Sequence, residues 1–136
     1  MKRKVFINLP VKDLKKSTDF FTALGYSFNP QFSDEKAASM IISDNIFAML
    51  LTEEYFKTFT KKSISDAKKS TEVLNALNAD SRYDVQQMIA KAKESGAHIY
   101  AEPQDHGWMY QHSFADLDGH QWEIIYMDES QIPDQP

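Results

Sequence analysis

The sequence predicts an α+β fold made of two β-α-β-β-β modules, packed with pseudo-twofold symmetry to form a concave groove. Three observations predict it. The order strand, helix, strand, strand, strand occurs twice along the 136 residues. Gly25 and Gly96 occupy the same slot, each just after a helical stretch and just before a strand. Asp44-Asn45 punctuates the first half as Asp118-Gly119 punctuates the second. A four-stranded unit of this kind cannot bury its apolar face alone, whereas two such units paired around a groove can.

Module one is expected at about residues 4–59. Val5 to Leu9, rich in β-branched and aromatic residues, reads as a strand. Asp13 is placed to cap a helix whose stripe is Leu14, Phe21 and Leu24, and Gly25 ends it. Tyr26 to Asn29, Ala37 to Ile42 and Ile46 to Thr52 read as strands, with turn chemistry at Ser43-Asp44-Asn45. Glu53 to Phe59 suggests a helical turn. The polar, Lys-rich stretch at about 60–71 reads as an exposed, mobile connection within one domain covering 1–136.

Module two is expected at about 72–128. Glu72 to Asn78 is its first strand. Ser81, with Asp84 three residues on, caps a helix with Val85, Met88, Ile89 and Ala92 on one face, ended by Ser95-Gly96. Ala97 to Ala101 is the next strand and Glu102 to Gly107 a loop. Tyr110 to Ala115 and Gln121 to Met127 form a hairpin about Asp116-Leu117-Asp118-Gly119. The polar tail from Asp128 to Pro136 carries two prolines and is expected to fray.

Composition narrows the function. Fifteen Lys and Arg stand against 20 Asp and Glu, a net charge of -5, which argues against a nucleic-acid partner. With no cysteine there is neither a disulfide frame nor a thiolate metal site. No apolar run approaches the ~20 residues of a membrane span, and the start lacks the apolar core of a signal peptide. A cytoplasmic location is the expectation. Gly-x-Ser-x-Gly, the phosphate loop and the dinucleotide fingerprint are all missing.

Three stretches carry a family resemblance. They are Phe6-Ile7-Asn8-Leu9-Pro10-Val11-Lys12-Asp13-Leu14 running to Gly25-Tyr26, Asn78-Ala79-Asp80-Ser81 running to Gly96, and Phe114-Ala115-Asp116-Leu117-Asp118-Gly119-His120-Gln121-Trp122-Glu123. From about Val5 to Met127 the chain resembles the vicinal oxygen chelate superfamily, which includes glyoxalase, bleomycin-resistance and extradiol dioxygenase proteins. Within it, the chain looks most like the predicted lactoylglutathione lyase branch. The resemblance implies a homodimer, and sheet edges and aromatic side chains that want cover agree. Metal-dependent relatives hold one divalent cation with four side chains, from the first and last strands of each module. Carried onto this chain, those positions are Phe6, Leu50, Leu74 (give or take one residue) and Glu123. Only Glu123 is a competent donor, so no metal and no other cofactor is expected.

Glu123 is thus the candidate catalytic residue. A carboxylate in a groove serves as a general base or acid, orients a ligand, or does neither. Ser113 should lie across from it and share its face. His98, His106, His112 and His120 show no helical ligand spacing and read as structural, with His106 freest to reach a ligand. Trp108, Met109 and Tyr110 suit a pocket wall, an interface or the core, and Asn8, Asn75 and Asn78 are strand amides that need partners. The favoured function is binding of a small, partly apolar organic molecule, with Phe6, Leu50 and Leu74 lining the groove. The alternatives are a glyoxalase-like lyase or isomerase using Glu123, with or without a metal, and a scaffold whose groove has filled.

Overall fold

The computed structural model describes residues 2–133 and contains two compact units, Met1–Asp66 and Ala67–Pro136. In the first, β1 (Val5–Val11), α1 (Leu14–Ala23), β2 (Ser27–Asn29), β3 (Ala37–Ser43), β4 (Ile46–Thr52) and the short α2 (Glu53–Phe56) follow in order. In the second come β5 (Leu74–Asn78), α3 (Arg82–Glu94), β6 (Gln104–Asp105), β7 (Met109–Ala115) and β8 (Gln121–Met127). Each unit has one four-stranded mixed sheet, ordered β1-β4-β3-β2 and β5-β8-β7-β6. The first strand of each unit pairs in parallel with the last, and the other pairings are antiparallel. Among the described residues no helix is long and apolar enough to cross a membrane.

Local chemistry sets both helices. The Asp13 carboxylate accepts from the Lys16 amide and the Ser81 hydroxyl from the Asp84 amide, satisfying donors that a first helical turn leaves unpaired. Past each helix the chain reverses through a glycine at φ +106°, Gly25 and Gly96, a region that side chains disfavour. Each helix packs on one face of its own sheet. Under α1 lie Leu9, Val11, Met40, Ala48 and Leu50, with Phe20 and Phe21 from the helix. Under α3 lie Phe114, Trp122 and Ile124, with Val85, Ile89 and Ala92 above them.

Two expectations need correction. Ala97 to Ala101 is not a strand: it touches the sheet through one bridge, His98 to Ala115. The imidazole Nε2 of His112 donates to the Ala101 carbonyl at 2.9 Å, replacing a backbone partner, and Pro103 has no N–H to pair. The fourth strand is instead Gln104–Asp105, in the segment read as a loop. Arg82, the first residue of α3, fastens it. Its guanidinium donates to both carboxylate oxygens of Asp105 at 2.7 Å and to the Gly107 carbonyl at 2.9 Å, above the Tyr110 ring. That contact holds the Asp105 carboxyl well below the usual carboxylate range.

The second correction concerns the connection. Residues 67–71 do not hang free but lie against the β7–β8 turn. A Cβ on Gly119 (φ +93°) would stand 2.7 Å from the Lys68 amide nitrogen and 2.8 Å from the Ala67 carbonyl carbon. The Thr71 hydroxyl donates to the Gln121 side-chain oxygen. Asp116 organises the turn from inside. Its Oδ1 accepts from the amides of Asp118 and His120, and its Oδ2 from the Trp122 indole. Of the polar tail, Glu129–Gln131 forms a 3-10 turn capped by Asp128, and Asp134 to Pro136 lie outside the described residues.

Candidate functional site

Strand β8 alternates Trp122 and Ile124, buried beneath α3, with Gln121, Glu123 and Ile125. Period two therefore turns Glu123 to the face away from the helix. Its cross-strand neighbours there are Ala76 on β5 and Ser113 on β7. Gln111, two residues before Ser113, donates its amide to Glu123 Oε2 at 2.9 Å. Glu123 Oε1 accepts no hydrogen bond within the described residues. Around this pair lies a recess of about 200 Å³, whose other walls are Leu74, Tyr100, Glu102, Gln104 and Gln121.

Gln111 and Glu102 carry no motif, and Gln121 lies inside the stretch that ends at Glu123; sequence reasoning singled out none of the three as a site residue. The signal for Gln111 was available, because it shares a strand face with Ser113. The recess is consequently richer in amides and carboxylates than the apolar groove expected, with Leu74 its main apolar wall.

Module one presents the matching face differently. Its sheet pairs Ser39 with Met49 as module two pairs Ser113 with Glu123. Asn8 also lies beside Met49. Asn8 and Met49, with Leu51, Phe32, Tyr55 and Phe59, line a recess of about 430 Å³.

This register corrects the assignment of Leu50. Leu50 pairs with Leu9, is 0% exposed, and faces α1, so it lines no groove. The counterpart of Glu123 is Met49, one residue earlier, and a one-residue slip reverses the face of a strand. Phe6 is half-exposed on the face away from α1 and stacks on Phe47 with ring centroids 5.1 Å apart. Leu74 is likewise exposed. Beside Glu123 on its sheet face lie Ala76, Ser113 and Gln111, which add no second charged donor for a divalent cation, and the corresponding face of module one carries Phe6, Asn8 and Met49. Among the described residues no group of three or more His, Asp or Glu is placed to hold a metal ion.

The histidines are scattered. His112 faces the α3 side and bonds Ala101, His120 belongs to the Asp116 turn, and His106 is exposed in the β6–β7 loop. Tyr110 is buried beneath Arg82, and neither it, Trp108 nor Met109 lines the Glu123 recess. The Asn75 amide donates to the Gln121 carbonyl at 3.4 Å, while Asn78 shares Glu123's face without lining the recess.

Solved structures give the comparison that decides the architecture. A glyoxalase/bleomycin resistance protein/dioxygenase family enzyme from Burkholderia phytofirmans superposes with TM-score 0.76, at 14% identity, over 93% of this chain and 99% of that one. The fold is that of the glyoxalase/bleomycin-resistance group. A hypothetical protein from S. aureus is similar at TM-score 0.79 and 28% identity, over 93% of this chain and 94% of its own. The fosfomycin resistance protein FosX from Listeria monocytogenes matches at 0.67 and 20%, over 93% of each chain. A family model described as bleomycin resistance protein-like N-terminal matches residues 3–43, which span β1 through β3. No curated protein matches.

Proposed function

We propose that this protein, with its glyoxalase/bleomycin-resistance fold, binds a small organic molecule in the Glu123 recess of module two and does not convert it. One observation carries the reading: a glutamate held by Gln111 through one oxygen, with the other facing a recess walled by Leu74 and Tyr100. A fixed acceptor beside apolar walls selects a ligand with a hydroxyl or amine on a partly apolar body. Turnover of the lactoylglutathione lyase kind asks more. Stabilising an enediolate calls for a cation, and one carboxylate does not supply it. No metal at the family position, a cytoplasmic location and a homodimer belong to the same reading. The exposed Phe6, Phe32, Phe59 and Leu74 support the dimer.

The test incubates wild type and Glu123→Gln with a metabolite mixture and follows retention and conversion by mass spectrometry. Retention by the wild type, weakened in the variant and without conversion, is expected. Metal-stimulated loss of the methylglyoxal-glutathione hemithioacetal, abolished by the substitution, would establish the enzyme instead. Neither retention nor conversion would leave a scaffold. Light scattering at the chain mass of 15.7 kDa would exclude the dimer.

A further inference from the structure

Beside the Glu123 recess lies a larger one of different chemistry. It has a volume of about 550 Å³ and is walled by Lys68, Lys69, Ser70, His98, Tyr100 and Gln121. Its rim is fixed by the close approach of Lys68 to Gly119 and by the bond from Thr71 to Gln121. The Lys-rich stretch that reads in sequence as a solvated connection is therefore the wall of a cavity.

The polar groups facing this cavity are mostly donors. Among the described residues, the Lys69 ammonium, the Ser70 hydroxyl and the His98 imidazole have no hydrogen-bond partner. The one carboxylate in the lining, Asp116, is 6% exposed, and its two oxygens already accept three N–H groups. A patch of this sign stands out on a chain of net charge -5. A lysine binds phosphate as a point charge, whereas the planar two-oxygen carboxylate is better matched by an arginine fork, which is missing from this lining. Three separate donor groups match the three terminal oxygens of a phosphoryl group.

We propose that this recess is a binding site for the phosphate group of a small anionic ligand, held by Lys69, Ser70 and His98. It stands independently of the function proposed for Glu123, since the two recesses share only the Tyr100 and Gln121 wall. The test is a titration of the ¹⁵N-labelled full chain with inorganic phosphate, with sodium chloride and acetate at matched ionic strength as controls. Saturable amide shifts at Lys69, Ser70, Thr71 and His98 are expected with phosphate alone. Lys69→Ala should weaken the apparent affinity about tenfold, the effect of losing one charge-assisted hydrogen bond. Lys69→Arg should retain binding, and Glu123→Gln should bind phosphate as the wild type does. Lys69 is exposed, so these changes leave the core intact. Shifts that grow linearly with any salt, equal binding of acetate, or a Lys69→Ala protein that binds like wild type would each overturn the site.

Discussion

Met49 holds in the first sheet the position that Glu123 holds in the second. Each lies opposite a serine, Ser39 or Ser113, and each is flanked along its strand by buried residues of the helix-facing core. One fold repeat thus presents a thioether and the other a carboxylate at equivalent places. That difference gives the recess of module two a carboxylate where the recess of module one has a thioether.

Stability should report the face assignment directly. Leu50→Ala is expected to cost about 2–5 kcal/mol, the range for emptying a fully buried leucine site. Met49→Ala, at a part-exposed position, should cost clearly less. Urea unfolding of both variants checks this, and equal losses would show that the register of β4 is misassigned.

The β7–β8 turn should be intolerant of a methyl group. Gly25→Ala meets open space and carries only the strain of a positive φ, about 1–2 kcal/mol. Gly119→Ala adds a clash with the backbone of Ala67 and Lys68. Its loss should exceed that of Gly25→Ala, and amide shifts should spread over residues 67–71. A Gly119→Ala protein as stable as Gly25→Ala would contradict the docking of that segment.

Replacing Asp116 with alanine strips the Trp122 indole of its acceptor in a buried place. A buried donor left unsatisfied costs about 1–3 kcal/mol, and the two turn amides add to it. In a Trp122→Phe background the donor is gone, so the same Asp116→Ala change should cost less. Denaturant unfolding of the four proteins measures the difference; additive losses would deny the indole contact.

Acid should weaken the Arg82–Asp105 contact in a defined direction. The folded-state pKa of Asp105 is depressed, so its contribution is present above the unfolded value of about 3.9 and lost as pH falls through the folded one. Arg82→Ala removes that dependence. Between pH 5 and 2.5 at low salt, the wild type should lose more stability than the variant. Parallel pH profiles would contradict the linkage.

Much of the fold was legible because it rests on local chemistry. Asp13 and Ser81 announce the helices, Gly25 and Gly96 end them, and the alternation in β8 places Trp122 and Glu123 on opposite faces. The failures have physical causes. Ala97 to Ala101 has strand composition, but a side chain, the His112 imidazole, takes the partner that a strand would need. Gln104–Asp105 looks like a loop and becomes a strand because Arg82, 23 residues earlier in sequence, clamps it. Leu50 was one residue out of register, which is enough to move it from recess to core. Glu102 reaches the site only through the placement of its loop against the strands, which a linear pattern does not encode, whereas Gln121 shares the face of Glu123 by period two and was legible.

The central claim is that Glu123 and its neighbours receive the ligand. The most direct measurement is an NMR titration of the ¹⁵N-labelled protein with a compound retained from the metabolite mixture, reading backbone and glutamine side-chain amides. The expected result is saturable shifts at Gln111, Ser113, Gln121 and Glu123, with the Gln111 side-chain amide moving most and the whole response reduced at least about tenfold in Glu123→Gln, the effect of losing a charged acceptor. Saturation confined to Asn8, Met49 and Tyr55, unchanged by the substitution, would contradict it.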